Sequence, residues 1–119
     1  MATSPTSRTT KLLRDTGWTY QIVEYWCPHS RRRKDLWGIG DILVMDKQPG
    51  SLLLQVSSAS GHAARVKKSL AEPRLEEWLE SGNRFEVWTW GKKGARGKRK
   101  LWTVRKDPIT LERWRDEQV

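Results

Sequence analysis

Four oxygen-bearing side chains have the types and spacing of a cation site. Asp41 stands at the mouth of an otherwise apolar run from Ile39 to Met45. An acid there is costly to bury unless it is paired or binds a metal. Asp35 lies six residues earlier, across Gly38 and Gly40, glycines that let the backbone fold around a metal or approach DNA closely. Glu24, on the preceding strand, offers another carboxylate, and Gln55 with the Val56 carbonyl offers neutral oxygens from the next apolar run, Leu52-Leu53-Leu54. Hard cations such as Mg²⁺ and Mn²⁺ prefer these donors. The expected metal ligands are therefore Glu24, Asp35, Asp41 and Gln55.

The rest of the chain suggests what such a metal would act on. With 23 Lys and Arg against 14 Asp and Glu, the formal net charge is +9. A surplus of that size points to a polyanion such as nucleic acid, or to an anionic surface. The cations are clustered: Arg31, Arg32, Arg33 and Lys34 run directly into Asp35. Arg65, Lys67 and Lys68 follow the second apolar run, and Lys92, Lys93, Arg96, Lys98, Arg99 and Lys100 fill a glycine-punctuated segment. A charge run is most often a solvated loop, but one abutting acidic ligands suits a phosphate.

These residues need a scaffold, and periodicity supplies one. Residues 1–10, rich in Ser, Thr and Pro, read as a mobile tail before a domain spanning 11–119. Thr9 or Thr10 caps a short helix over Lys11 to Asp15, ended by Gly17. Trp18 to Trp26 reads as an internal strand, where the plain explanation of Glu24 is a cross-strand ion pair. Cys27 to Lys34 reads as a loop, and residues 35–58 as two strands joined by a tight turn. Ser60 caps a helix from His62, and Pro73 opens a second one that stops at Gly82. Arg84 to Trp90 alternates, with Phe85, Val87 and Thr89 on one face and Glu86, Trp88 and Trp90 on the other. A basic hairpin tip leads into a strand from Leu101, and Thr110 caps a final helix. The sum is a single α/β domain with a mixed central sheet of about five strands flanked by helices.

That order, with a Gly-x-Gly-Asp strand, an apolar strand ending in a polar triplet and then a basic helix, resembles the PD-(D/E)XK nuclease superfamily, particularly its small archaeal and phage-type Holliday-junction resolvases. The likeness spans roughly residues 11 to 104. It implies a restriction-endonuclease-like αβββαβ core and a Mg- or Mn-dependent endonuclease acting on DNA, with Asp41 as the first-motif aspartate. It further implies a symmetric dimer and admits a phage-encoded protein, while the lone cysteine and the lack of a signal-peptide core point to an intracellular, cytoplasmic setting. The second motif falls on Gln55, Val56 and Ser57, so Gln55 stands where the family has an acid and Ser57 where it has lysine. The expected catalytic set is thus Asp41, Gln55, Ser57 and Lys68, with Lys67, Lys68 or Lys34 reaching back for the missing lysine. Two further readings stay open: a nuclease-fold protein that binds nucleic acid without cutting, and a basic protein-interaction module.

Other chemistries find less support. One cysteine, Cys27, permits no internal disulfide, and with His29 and His62 it lacks the spacing of a zinc site. No run of residues is long and apolar enough to span a bilayer, and the first residues lack a signal-peptide core. Eight tryptophans are many for 119 residues. Trp26, Trp78 and Trp102 are expected in the core, and at least one of Trp88 and Trp90 on a face that stacks bases or packs against Trp114.

Overall fold

The computed structural model describes residues 3–119. A helix, α1 (Pro5–Thr16), leads into an edge strand, β1 (Thr19–Ile22). A small hairpin, β2 (Tyr25–Cys27) and β3 (Arg32–Lys34), precedes the strands β4 (Ile42–Met45) and β5 (Leu52–Ser58). Helices α2 (His62–Leu70) and α3 (Pro73–Glu80) then cross to β6 (Arg84–Lys93), β7 (Leu101–Pro108) and a last helix, α4 (Leu111–Glu117). Five strands form one mixed sheet in the order β1-β4-β5-β6-β7, and β2-β3 forms a separate ribbon. Only β5 and β6 are parallel, because the α2–α3 crossover returns the chain to the same end of the sheet. The expected single α/β domain and five-strand sheet are what the chain forms.

Alternation along the strands sorts the core into two layers. Leu52, Leu54 and Val56 of β5 join Leu13, Ile42, Val44, Trp88 and Trp90 under α1. Leu53 faces the other way, with Phe85, Val87, Leu70, Leu75 and Trp114 under α2, α3 and α4. Gln55 has the parity of Leu53, so it lies on this second face.

Several boundaries differ from the sequence expectation. The supposed tail is helical from Pro5: Ser4 caps α1 by accepting from the Ser7 N–H, while Thr9 and Thr10 are buried within it. Such a cap stabilises a helix by about 1 kcal/mol. Residues 1 and 2 lie outside the described residues. The strand expected over Trp18 to Trp26 breaks at Val23 and Glu24, whose N–H groups both donate to the Asp41 carbonyl, at 2.8 and 3.2 Å. Beyond the break the chain leaves the sheet to pair with the supposed loop as β2-β3. A 3₁₀ turn, Ala59–Gly61, precedes α2, which starts at Gly61 without the expected Ser60 side-chain cap. Trp26 and Trp102 are 56% and 45% exposed rather than core, and Trp78 is half-buried. Trp88 and Trp90 are buried instead, under α1 rather than against Trp114, and Trp90 Nε1 donates to Thr9 Oγ1 at 2.8 Å.

Candidate metal centre

Asp41 organises the site through its backbone as much as its carboxylate. Its N–H donates to Leu54 O at 2.7 Å, stitching it to β5, while its carbonyl holds Val23 and Glu24. The Leu36 N–H, donating to Gly40 O at 2.9 Å, closes the loop that carries Asp35. Three chain segments distant in sequence are thereby fixed around one residue. Carboxylate oxygens of Glu24, Asp35 and Asp41 consequently lie within 4.8 Å of one another.

Gly40 serves this closure differently from the expectation of a metal or DNA approach. A Cβ there would lie 2.4 Å from Leu53 Cγ, so glycine is required by the core packed behind the loop.

Crowding of the carboxylates perturbs their titration. Burial, the hydrogen bond to Asp35 and the charges of Asp35 and Glu24 push the Asp41 carboxyl up to about 8, against the pull of the Val56 N–H. Burial also opposes ionisation of Asp35, but its hydrogen bonds to Asp41 and Lys68 outweigh that and hold it below the usual carboxylate range. At neutral pH the pair thus shares a proton that a divalent cation would displace. Gln55 Nε2 and the Val56 N–H both donate to Asp41 Oδ2, at 2.8 and 3.0 Å. Gln55 Oε1, in a side chain only 1% exposed, has no hydrogen-bond partner among the described residues. A hard cation fits the chemistry of the three carboxylates: ligands at about 2.1 Å around an octahedral ion sit roughly 3 to 4 Å apart, and these oxygens lie within 4.8 Å of one another. Of the Gln55 amide it is Nε2, not the orphaned oxygen, that meets the carboxylates.

These residues open onto a cleft of about 820 Å³ whose walls include Arg32, Arg33, Lys34, Arg65, Lys68 and Arg74. Lys68 Nζ reaches Asp35 Oδ2 at 3.1 Å, so α2 brings a lysine to the acids as expected. Arg33 sits 3.4 Å from Glu24, so the carboxylate that joins the acidic cluster also has the expected cation partner.

Other predicted site residues fall elsewhere. Ser57 does not line the cleft; its Oγ crowds Gly61 at the start of α2, 2.5 Å from where a Cβ would stand. Lys67 is exposed on α2 outside the cleft, and Arg31 occupies the β2–β3 turn with φ 53°. Lys92, Lys93, Arg96, Lys98, Arg99 and Lys100 are exposed at the β6–β7 tip. That tip projects from the end of the sheet where Asp41 sits, since β6 runs three residues past Trp90, the partner of the last β5 residue, Ser58. His62, at the start of α2, is buried and held between Thr89 Oγ1 at 2.7 Å and Asp107 Oδ2 at 2.8 Å. It joins neither Cys27 nor His29.

Sequence reasoning missed Tyr25, Trp37 and Arg74 on the cleft wall. For Arg74 the available signal was its place just after Pro73, at a helix start; for Trp37 it was the glycine beside it in a predicted turn.

Comparison of the chain with protein-family models, curated proteins and solved structures returns no match. The site alone therefore bears on function.

Proposed function

We infer that this protein is a metal-dependent phosphodiesterase of the endonuclease type acting on DNA, branched junctions included. The observation that carries the reading is the convergence of Glu24, Asp35 and Asp41, with Gln55 hydrogen-bonded to Asp41, inside a cleft walled by cations. The element order, with Asp41 entering the second sheet strand and Gln55 on the third, supports the resemblance to PD-(D/E)XK nucleases.

Glu24, Asp35 and Asp41 would hold Mg²⁺ or Mn²⁺, with the Gln55 amide orienting the Asp41 carboxylate through Nε2. When bound, such an ion polarises a phosphodiester and lowers the pKa of an attacking water. The chain's own groups do the remainder. Lys68 takes the place of the lysine lost at Ser57, and with Arg65 offsets the charge that develops on the phosphoryl oxygens. Arg32, Arg33 and Lys34 hold the strand that approaches, and the Lys92–Lys100 tip clamps the flanking backbone. Asp41 releases its proton on loading, which makes metal occupancy favour higher pH.

The test is a labelled four-way junction, with a linear duplex beside it, incubated with purified protein and Mg²⁺ or Mn²⁺. Metal-dependent cutting abolished by Asp41→Ala is expected. Cutting unchanged in that variant, or none at all, overturns the enzymatic reading. One observation favours a second reading, a binder that does not cut: Gln55 and Ser57 replace the acid and lysine of the second motif. It predicts salt-sensitive DNA binding that persists in EDTA and in Asp41→Ala, with no products.

A further inference from the structure

A second cleft, of about 480 Å³, adjoins the first and shares Trp37 and Arg74 with it. Its chemistry differs. The first cleft is walled by six Lys and Arg side chains, whereas this one presents two indoles, a single cation, Arg74, and an acid, Glu77. A phosphate is drawn to the first, whereas Arg74 and Glu77 leave the second without net charge and its indoles suit a neutral aromatic ring.

The two tryptophans are held unequally. Trp78 Nε1 donates to Arg84 O at 2.8 Å, which fixes its ring on α3. Trp37 is 51% exposed, with its centroid 6.1 Å from that of Trp78 and the planes inclined at 55°. At that separation the two rings are in tilted contact with each other, and Trp37 keeps its outer face open. Trp37 and Gly38 adopt φ of 53° and 70°, and the Ile39 N–H donates to Leu36 O at 2.9 Å, giving a tight turn of two left-handed residues. Asparagine or glycine suits the first of these positions, and a bulky aromatic is disfavoured. The same short loop carries Asp35 at its start and Trp37 at its tip, so the acid and the indole are a fixed distance apart.

Resting on the phosphate site read above, we propose that the exposed face of Trp37, braced from behind by Trp78, receives one unpaired nucleobase of the strand whose phosphate lies among the carboxylates. The base stacks on that indole, Arg74 bridges base and backbone at the shared wall, and the Glu77 carboxylate accepts from exocyclic amino groups. The site thereby selects unpaired or frayed DNA over an intact duplex, whose bases stay stacked on their neighbours.

Binding is measured on the full chain in EDTA, so that neither metal nor cutting enters the readout. The probes are a labelled single-stranded DNA of about 15 nucleotides, long enough to cover both clefts, and a duplex of the same sequence. The variant is Trp37→Asn, which suits the left-handed turn and should leave the melting temperature unchanged or raised while removing the ring. It is expected to weaken single-strand binding about tenfold, the scale of one base–aromatic stack, and to leave duplex binding within about twofold. Trp37→Phe should retain most of the single-strand affinity. Equal weakening of both probes by Trp37→Asn, or of neither, overturns the base cleft alone. Failure of the unaltered protein to bind either DNA at low salt overturns the phosphate reading beneath it as well.

Discussion

At the scale of single residues, Asp41 matters most. Its carboxyl is raised in the folded, metal-free protein, so between the unfolded value near 3.9 and about 8 the native state binds the extra proton. Stability must therefore fall as pH rises through that window. Thermal melts in EDTA should show this decline, and Asp41→Asn should flatten it and raise the melting temperature at pH 8 by at least about 4 °C. A variant less stable than the parent at pH 8 would mean that the carboxylate is held by interactions other than those seen. The legible part of this site was the acid placed at a strand mouth. Gln55 was legible as a donor, but not the fact that its amide nitrogen, rather than its oxygen, faces Asp41. Ser57 was misplaced for a plain reason: its two-residue spacing from Gln55 fixes the face of the strand, not how far along it the cleft extends.

At the scale of elements, one polar network holds helices to the sheet and a second ties two strand ends together. Asp107 accepts from Arg113 Nη1 at 2.7 Å and meets His62, which also reaches Thr89, so α2, β6, β7 and α4 share one cluster. Burial opposes the Asp107 charge, yet Arg113 and His62 hold its carboxyl below the ordinary range. Its contribution is therefore present above about pH 4 and lost as pH falls through the lowered value. His62→Ala should cost about 1–3 kcal/mol in urea unfolding by stranding Thr89 and Asp107, with no change in metal affinity. Similarly, Asp46 is buried and bound bidentately by Arg84, with Nη1 to Oδ2 at 2.7 Å, across the ends of β4 and β6. Arg84→Met should destabilise by about 3 kcal/mol, a figure from the lower end of the range for buried pairs because the guanidinium is partly exposed. The central strands were readable because apolar runs and alternation dictate them locally. The β2-β3 ribbon was not, since Arg32–Lys34 has no strand signal of its own and pairs only because the Asp41 carbonyl turns the chain out of the sheet. The helical start at Pro5 was hidden behind a Ser/Thr-rich composition that elsewhere signals disorder. Leu13 and Trp90 are what recruit it.

At the scale of the molecule, the cations surround one end of the sheet. The cleft and the β6–β7 tip together would follow a phosphate backbone past the carboxylates. Replacing residues 94–100 by a two-residue Asn-Gly turn between the paired Lys93 and Leu101 should leave the sheet intact and reduce the slope of log K against log salt by up to about four, near 0.9 for each phosphate no longer neutralised. An unchanged slope would place the bound strand away from the tip. That Glu24, Asp35 and Asp41 form a cation centre is tested most directly by calorimetric titration of Mn²⁺ into the full chain at pH 7 in buffers of different ionisation enthalpy. The predicted result is one saturable site, with proton release read from the buffer dependence, both abolished in Asp41→Asn. Absence of binding heat, or binding undiminished in Asp41→Asn, would contradict it.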